Sequence, residues 1–222
     1  MNDFVIQEIT DKNKELINDV VDIHLATFEG FFLTFMGKGF LKQMYKSYVE
    51  YDESGIYAAF EEYRVVGFLA YSENMSGLYK YMIKHRLIQL AWYSIGAFFR
   101  KPKVFMRLIR AFLKPKESER DENYVELASI GVRPDVKSNG IGSKLISTLK
   151  NDTDFKKYKY ITLETDVINN EIANRFYKKN GFYVVREFVT HEGRHMYEYR
   201  YEGGNTDEEE TPLHIEYSKE SK

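Results

Sequence analysis

The chain has 222 residues, of which 43% are hydrophobic and 16% aromatic, enough to build one core with decorations. It has no cysteine, which excludes disulfides, a cysteine nucleophile and thiolate metal sites, and its five histidines are scattered without metal-ligand spacing. The net charge of −2 hides a segregation: Gly77 to Lys116 carries ten Lys/Arg and no Asp or Glu, while the remainder carries 22 basic and 34 acidic residues. A lack of cysteine and of any basic, apolar leader at the N-terminus leads to the expectation of a cytoplasmic protein. The longest apolar run, Leu87 to Phe99, is interrupted by Gln89 and is too short to span a bilayer.

In chain order, Phe4 to Ile9 reads as a strand. Asp11 to Phe28 has helical spacing, with Ile17, Val20, Val21, His24 and Leu25 on or near one face. Gly30 to Gly39 is a glycine-punctuated aromatic connection, and a helix follows from Phe40 to about Tyr51. Gly55 to Glu61 and Arg64 to Ser72 read as a hairpin turning near Glu62-Tyr63. The basic segment predicts two helices broken around Pro102. Tyr124 to Val132 is a predicted strand, Asn139 to Lys150 a helix, Tyr158 to Asp166 a strand and Asn170 to Asn180 a helix; Phe182 to Val189 and His195 to Tyr201 pair around Glu192-Gly193. His191 and His195 flank that turn and read as solvated. From Glu202 to Lys222 the chain holds seven acids and two lysines, with Gly203-Gly204-Asn205 as a breaker, and this tail is expected to be poorly ordered.

Two segments carry chemistry. Val132 to Gly142 reads Val-Arg-Pro-Asp-Val-Lys-Ser-Asn-Gly-Ile-Gly between a strand and an amphipathic helix. Gly140 and Gly142 let the backbone turn tightly and let a ligand approach closely. The helix start offers unpaired amides and a positive dipole end, which suit a diphosphate. Lys137 adds a point charge at the rim. The second segment is Asn170-Glu-Ile-Ala173 followed by Phe176-Tyr177-Lys-Lys-Asn-Gly181-Phe182.

Together these segments strongly resemble the acetyl-CoA loop and the following motif of the GNAT superfamily of N-acyltransferases. The loop of that family opens on Gln or Arg, where this chain has Lys137. The resemblance is specific from about Tyr124 to Tyr201, and upstream it rests on element order alone. It implies an α/β (α+β) fold: a mixed central twisted sheet flanked by helices, with a helical insertion before the fourth strand. On that reading one domain covers 1–202, with 77–116 as the basic insertion and 203–222 as the acidic tail.

The resemblance also implies acetyl-CoA as co-substrate and no metal. The backbone around Ile130, Gly131 and Val132 would pair with the pantetheine arm. The loop of Lys137, Ser138, Asn139, Gly140, Ile141, Gly142 and Ser143 would hold the diphosphate, and Asn170 would contact the lower part of the cofactor. Tyr177 is the candidate general acid for the leaving thiolate, since a phenol near pKa 10 matches a thiol of comparable basicity; a core tyrosine is the competing reading. Glu126 is the candidate base. Strand alternation places it on the face of Tyr124, Ala128 and Ile130, and a solvent-facing carboxylate is the alternative. His24 and Glu73 are further base candidates, His24 also reading as a packed helix residue.

The implied activity is acetyl transfer to a primary amine. A looser resemblance, to enzymes of surface-polysaccharide synthesis, points to a nucleotide-linked amino sugar. A protein or peptide amine and a non-catalytic acyl-CoA-binding module are the alternatives. In the basic insertion, Lys80, Lys84, Arg107 and Arg110 fall at helical spacing. They admit a lid over an anionic acceptor, a contact with acidic lipid headgroups, a homodimer contact or a solvated face. Nucleic acid is not expected, because the rest of the molecule is acidic.

Overall fold

The computed structural model describes residues 4–28, 30–100, 102, 122–136, 140–190 and 193–204. They fall into two compact units, one drawn from residues 1–119 and 126–152, the other from 120–125 and 153–222.

The first unit begins with β1 (Phe4–Glu8), a 3-10 turn (Asp11–Leu16), α1 (Ile17–Thr27), α2 (Phe32–Met36) and α3 (Lys38–Glu50). The hairpin β2 (Ser54–Glu61) and β3 (Arg64–Ser72), the long helix α4 (Met75–Arg100), β4 (Tyr124–Val132) and α5 (Ile141–Asp152) follow. β1, β2, β3 and β4 are neighbours in that order, each pair antiparallel. β2 and β3 are buried almost throughout rather than alternately, because helices cover both of their faces. On one face, a side chain at Gly131 would meet Phe68 of β3 and Ile23 and Thr27 of α1. On the other, a side chain at Gly67 would meet Ile141 of α5 and Val132.

The helices explain themselves by period. α1 buries Ile17, Val20, Val21, Ile23 and His24, and α3 buries Phe40, Leu41, Met44, Tyr45 and Tyr48, the spacing of one apolar face on each. α4 joins this core through Met75, Leu78 and Met82. One turn further on, the Arg86 guanidinium donates to the Gln43 side chain at 2.7 Å and pairs with Glu50, both on α3.

The second unit holds β5 (Tyr160–Asp166), α6 (Glu171–Lys179), β6 (Tyr183–Val189) and β7 (His195–Tyr201), with β7 between β5 and β6 and antiparallel to both. Its core is aromatic: Tyr160, Tyr177, Phe182 and Tyr199 are buried with Ile161, Leu163 and Met196. Tyr124, at the start of β4, stacks on Tyr160 with centroids 5.7 Å apart and planes 8° from parallel.

The predicted elements occur in the predicted order, with local differences. The first predicted helix is a 3-10 turn followed by α1, because Asn13 is non-helical and bonds back to Thr10. The aromatic connection contains α2, a helix of five residues, bounded by Gly37 at φ +91°. α5 starts at Ile141 rather than Asn139. α4 runs unbroken to Arg100, while the second predicted helix of the insertion and the tail from residue 205 lie outside the described residues.

Candidate functional site

β4 and the entry to α5 contain most of the residues expected to hold a diphosphate and a pantetheine arm. Ile130, Gly131 and Val132 pair with Leu69, Phe68 and Gly67 of β3. Gly131 is glycine for a packing reason: an added Cβ would sit 3.0 Å from the Phe68 ring and 3.4 Å from Ile23. Thr27 anchors the strand end by donating to the Val132 carbonyl at 3.3 Å. The turn after it is fixed by Asp135, which accepts from Arg64 at 2.6 Å and from Arg133 at 3.1 Å. Those two guanidiniums hold the Asp135 carboxyl down to about 2.

Gly140 has φ +78°, a conformation that favours glycine, and its carbonyl accepts the Lys144 amide at 2.9 Å. It is therefore the last residue before the helix turns, leaving the first-turn amides of Ile141, Gly142 and Ser143 as donors without intrahelical acceptors. The first turn of α5 carries no acid, so nothing competes there with an incoming anion. Lys137, Ser138 and Asn139 lie outside the described residues.

The expected face of Glu126 is corrected. Ser129 lies opposite Ala70 and Leu127 opposite Tyr71, so Ala128 is an extra residue against one step of β3. This bulge inverts the alternation. Glu126, opposite Ser72, shares its face with Ser129 and Gly131, whose partners are Ala70 and Phe68; Ile130 lies on the other face with Leu127. The face of Glu126 is thus the one that meets α1 and α3. Consistently, the buried Tyr48 phenol of α3 is held well above its ordinary value by desolvation, with Tyr79 and then the Glu126 carboxylate adding to it.

That face also holds a chain of polar groups which periodicity did not reveal. His24 of α1 is buried, and its Nδ1 lies 2.7 Å from the Tyr45 hydroxyl of α3. The Tyr45 hydroxyl donates to Ser129 Oγ at 3.3 Å. Burial lowers the His24 pKa to about 4, so the imidazole is neutral at ordinary pH. Burial likewise raises the Tyr45 phenol, the Ser129 bond opposing it. His24 Nε2 finds no hydrogen-bond partner among the described residues. A histidine amid apolar helix positions was the one sequence signal, and its partners lie 21 and then 84 residues away in the chain.

In the second unit, Tyr177 is buried on α6 between Phe182 and Tyr199, with ring centroids 6.2 and 5.8 Å away. Desolvation raises its pKa above the ordinary tyrosine value, with Tyr199 adding to the effect. Asn170 precedes α6, and its side-chain amide donates to Thr165 Oγ1 at 2.7 Å and to the Asp166 carbonyl at 3.1 Å. Both amide hydrogens are engaged, which leaves only the side-chain oxygen to meet a ligand. Asn174, one turn on, donates to the same carbonyl at 3.1 Å and accepts from the Tyr199 hydroxyl at 3.0 Å. Asn174 thereby sets the ring against which Tyr177 packs, a role the sequence reading missed. Tyr177 lies on this helix and Asn170 caps its start, and in the first unit the described residues Glu126 to Val132 and Gly140 to Ser143 belong to β4 and the entry to α5. Among the described residues no cluster of His, Asp and Glu could hold a metal ion.

The acetyltransferase (GNAT) family matches the sequence over residues 17–182. The chain belongs to that family. As a GNAT protein it is an acyltransferase, and its fold recurs in solved structures. A protein assigned to the GNAT family from Desulfovibrio desulfuricans is 15% identical, with a TM-score of 0.57 over 90% of this chain and 99% of that one. NAA60 of Arabidopsis thaliana, solved with acetyl-CoA, is 16% identical, with a TM-score of 0.51 over 90% and 98%. An agmatine N-acetyltransferase mutant is 13% identical, with a TM-score of 0.52 over 90% and 100%. No curated protein matches the sequence.

Proposed function

We propose that this GNAT protein is an N-acetyltransferase that moves the acetyl group of acetyl-CoA to a primary amine. The observation that carries the reading is a bulged strand ending at Val132 and, after it in the chain, a helix preceded by Gly140 whose first turn has no acid. A diphosphate fits such a start, because the amides of Ile141, Gly142 and Ser143 point out of it and the helix dipole favours negative charge. Gly142, at the second helical position, has no Cβ, which leaves room for close approach of a ligand. Lys137, Ser138 and Asn139 would complete the loop, and the backbone of Ile130 to Val132 would hold the pantetheine arm. Acetyl-CoA when bound supplies an activated thioester.

The chain's own residues supply proton traffic. Glu126 would take the proton of the acceptor amine, on the face where Ser129, Tyr45 and His24 also lie. Tyr177 would give a proton to the departing sulfur. Its raised pKa keeps the phenol protonated across the working range, so it is always loaded as a donor. The side-chain oxygen of Asn170 would face the cofactor.

A primary amine is the acceptor class this supports, and agmatine, the substrate in one structural relative's name, is such a compound. A nucleotide-linked amino sugar would draw on cations of the insertion. In α4 Arg86 is committed to Glu50 and Gln43, leaving Lys80 and Lys84 exposed for that task.

The cofactor half of the reading is tested at Gly142. An aspartate there suits a helix start, but it places a carboxylate where the diphosphate would bind. Calorimetry should show the affinity of Gly142→Asp for acetyl-CoA reduced by about tenfold or more. Unchanged affinity would remove the diphosphate assignment.

A further inference from the structure

Helix α4 has two apolar faces, and only one of them is buried. Leu78 and Met82 point into the core at 0% and 2% exposure. On the side away from the buried Ser94, Ile88, Trp92, Ile95 and Phe99 form a stripe at i, i+4, i+7 and i+11, exposed by 82%, 70%, 45% and 77%. At 1.5 Å rise per residue that stripe is about 16 Å long. Of the fifteen large hydrophobic side chains exposed among the described residues, eight belong to this one helix. Single exposed apolar residues need no explanation, but a continuous row of them does.

Charge says what covers it. Lys84 and Lys80 continue the line of the stripe toward the N-terminus, at one and two helical turns before Ile88, and both are exposed. α4 contains no Asp or Glu. The sequence beyond it keeps the same character, with six further Lys/Arg and no acid from Lys101 to Lys116. A second copy of the helix would bring more cations and no countercharge in either orientation. A surface that is both apolar below and anionic above satisfies the stripe and the lysines together. No described helix is long and apolar enough to cross a membrane, which leaves lying on the surface rather than spanning it.

We propose that the outer face of α4 docks on an anionic lipid surface. Ile88, Trp92, Ile95 and Phe99 enter the boundary between headgroups and acyl chains, and Lys80 and Lys84 lie against the headgroup charge. The docking does not depend on the acetyl-transfer reading, and its test uses neither acyl donor nor acceptor.

Trp92 is the only tryptophan of the chain, so intrinsic fluorescence reports on the stripe directly. With vesicles containing phosphatidylglycerol, Trp92 emission should move to the blue and the full chain should sediment with the lipid. With pure phosphatidylcholine both effects should fall by roughly 25-fold, since each of the two lysines near an anionic surface contributes about a fivefold gain. Ile88→Gln/Phe99→Gln, which keeps the probe, should lose sedimentation, and so should Lys80→Glu/Lys84→Glu. Because all four side chains are exposed, neither variant disturbs the core. Three results would overturn the proposal. One is no shift and no sedimentation with either lipid. Another is binding that ignores the lysine charge reversal. The third is blue emission in buffer alone that follows self-association with protein concentration, which would assign the stripe to a second copy.

Discussion

Glu198 and His24 are equally hidden, 2% and 3% exposed, yet the two sites treat a buried polar group in opposite ways. Glu198 of β7 is met by Arg186 at 3.1 Å from β6 and by Arg200 at 3.1 Å from its own strand, and Arg200 in turn lies 4.0 Å over the Tyr160 ring. A carboxylate enclosed by two guanidiniums is a fixed structural charge. Among the described residues His24 has no charge of that kind beside it; it stays neutral, bonded on one nitrogen to Tyr45 and without a described partner on the other. A half-satisfied group costs stability, and buried groups of that kind call for a reason beyond packing. The contrast separates a polar group kept for the fold from one that sits on the face of β4 where Glu126 and Ser129 lie.

The contrast can be broken at either end. Glu198→Ala should be the larger effect, about 3–5 kcal/mol of unfolding free energy by urea titration, because two guanidiniums lose their partner and a cavity opens. The folded variant should keep its kinetic constants. A loss under 1 kcal/mol would show that the charges are hydrated rather than held.

His24 gives a smaller effect, and only at acid pH. Its pKa falls from 6.5 unfolded to about 4 folded, so between these values the unfolded chain binds more protons. Stability therefore declines as pH drops from 6.5 toward 4, by roughly 3 kcal/mol in total from this residue. It is unaffected by His24 above that window. His24→Phe should remove this part of the acid sensitivity, so that the stability gap between variant and wild type changes steadily across the window. A constant gap would mean that His24 is not buried neutral in solution.

The frame of this molecule was readable because it depends on local pattern. Tyr124 to Val132 and His195 to Tyr201 appear with the expected bounds, and the β2–β3 turn falls at Glu62, which has φ +55°. What could not be read depends on single insertions or on contacts distant in sequence. The bulge at Ala128 has no residue signature, since alanine fits either face, yet one extra residue turns Glu126 to the opposite side of the strand. The five residues of α2 are too few to display a helical period. The motif implies a cofactor contact for Asn170; that its amide is engaged by Thr165 and Asp166, leaving the side-chain oxygen for such a contact, is a fact of the loop's closure. The stripe on α4 was legible only as an apolar run; that it faces outward follows from the exposure of Ile88, Trp92 and Phe99.

The central claim is acetyl transfer to a primary amine with Tyr177 as proton donor. The direct measurement is incubation of the full chain with acetyl-CoA and a panel of primary amines, from polyamines and amino sugars to peptides, with detection of the product by mass. The account predicts one acceptor gaining a single acetyl group, and Tyr177→Phe lowering that turnover on the order of a hundredfold while acetyl-CoA affinity stays within a few-fold. Tight acetyl-CoA binding with no acetylated amine in any class, or a Tyr177→Phe variant turning over at the wild-type rate across the pH range, would contradict it.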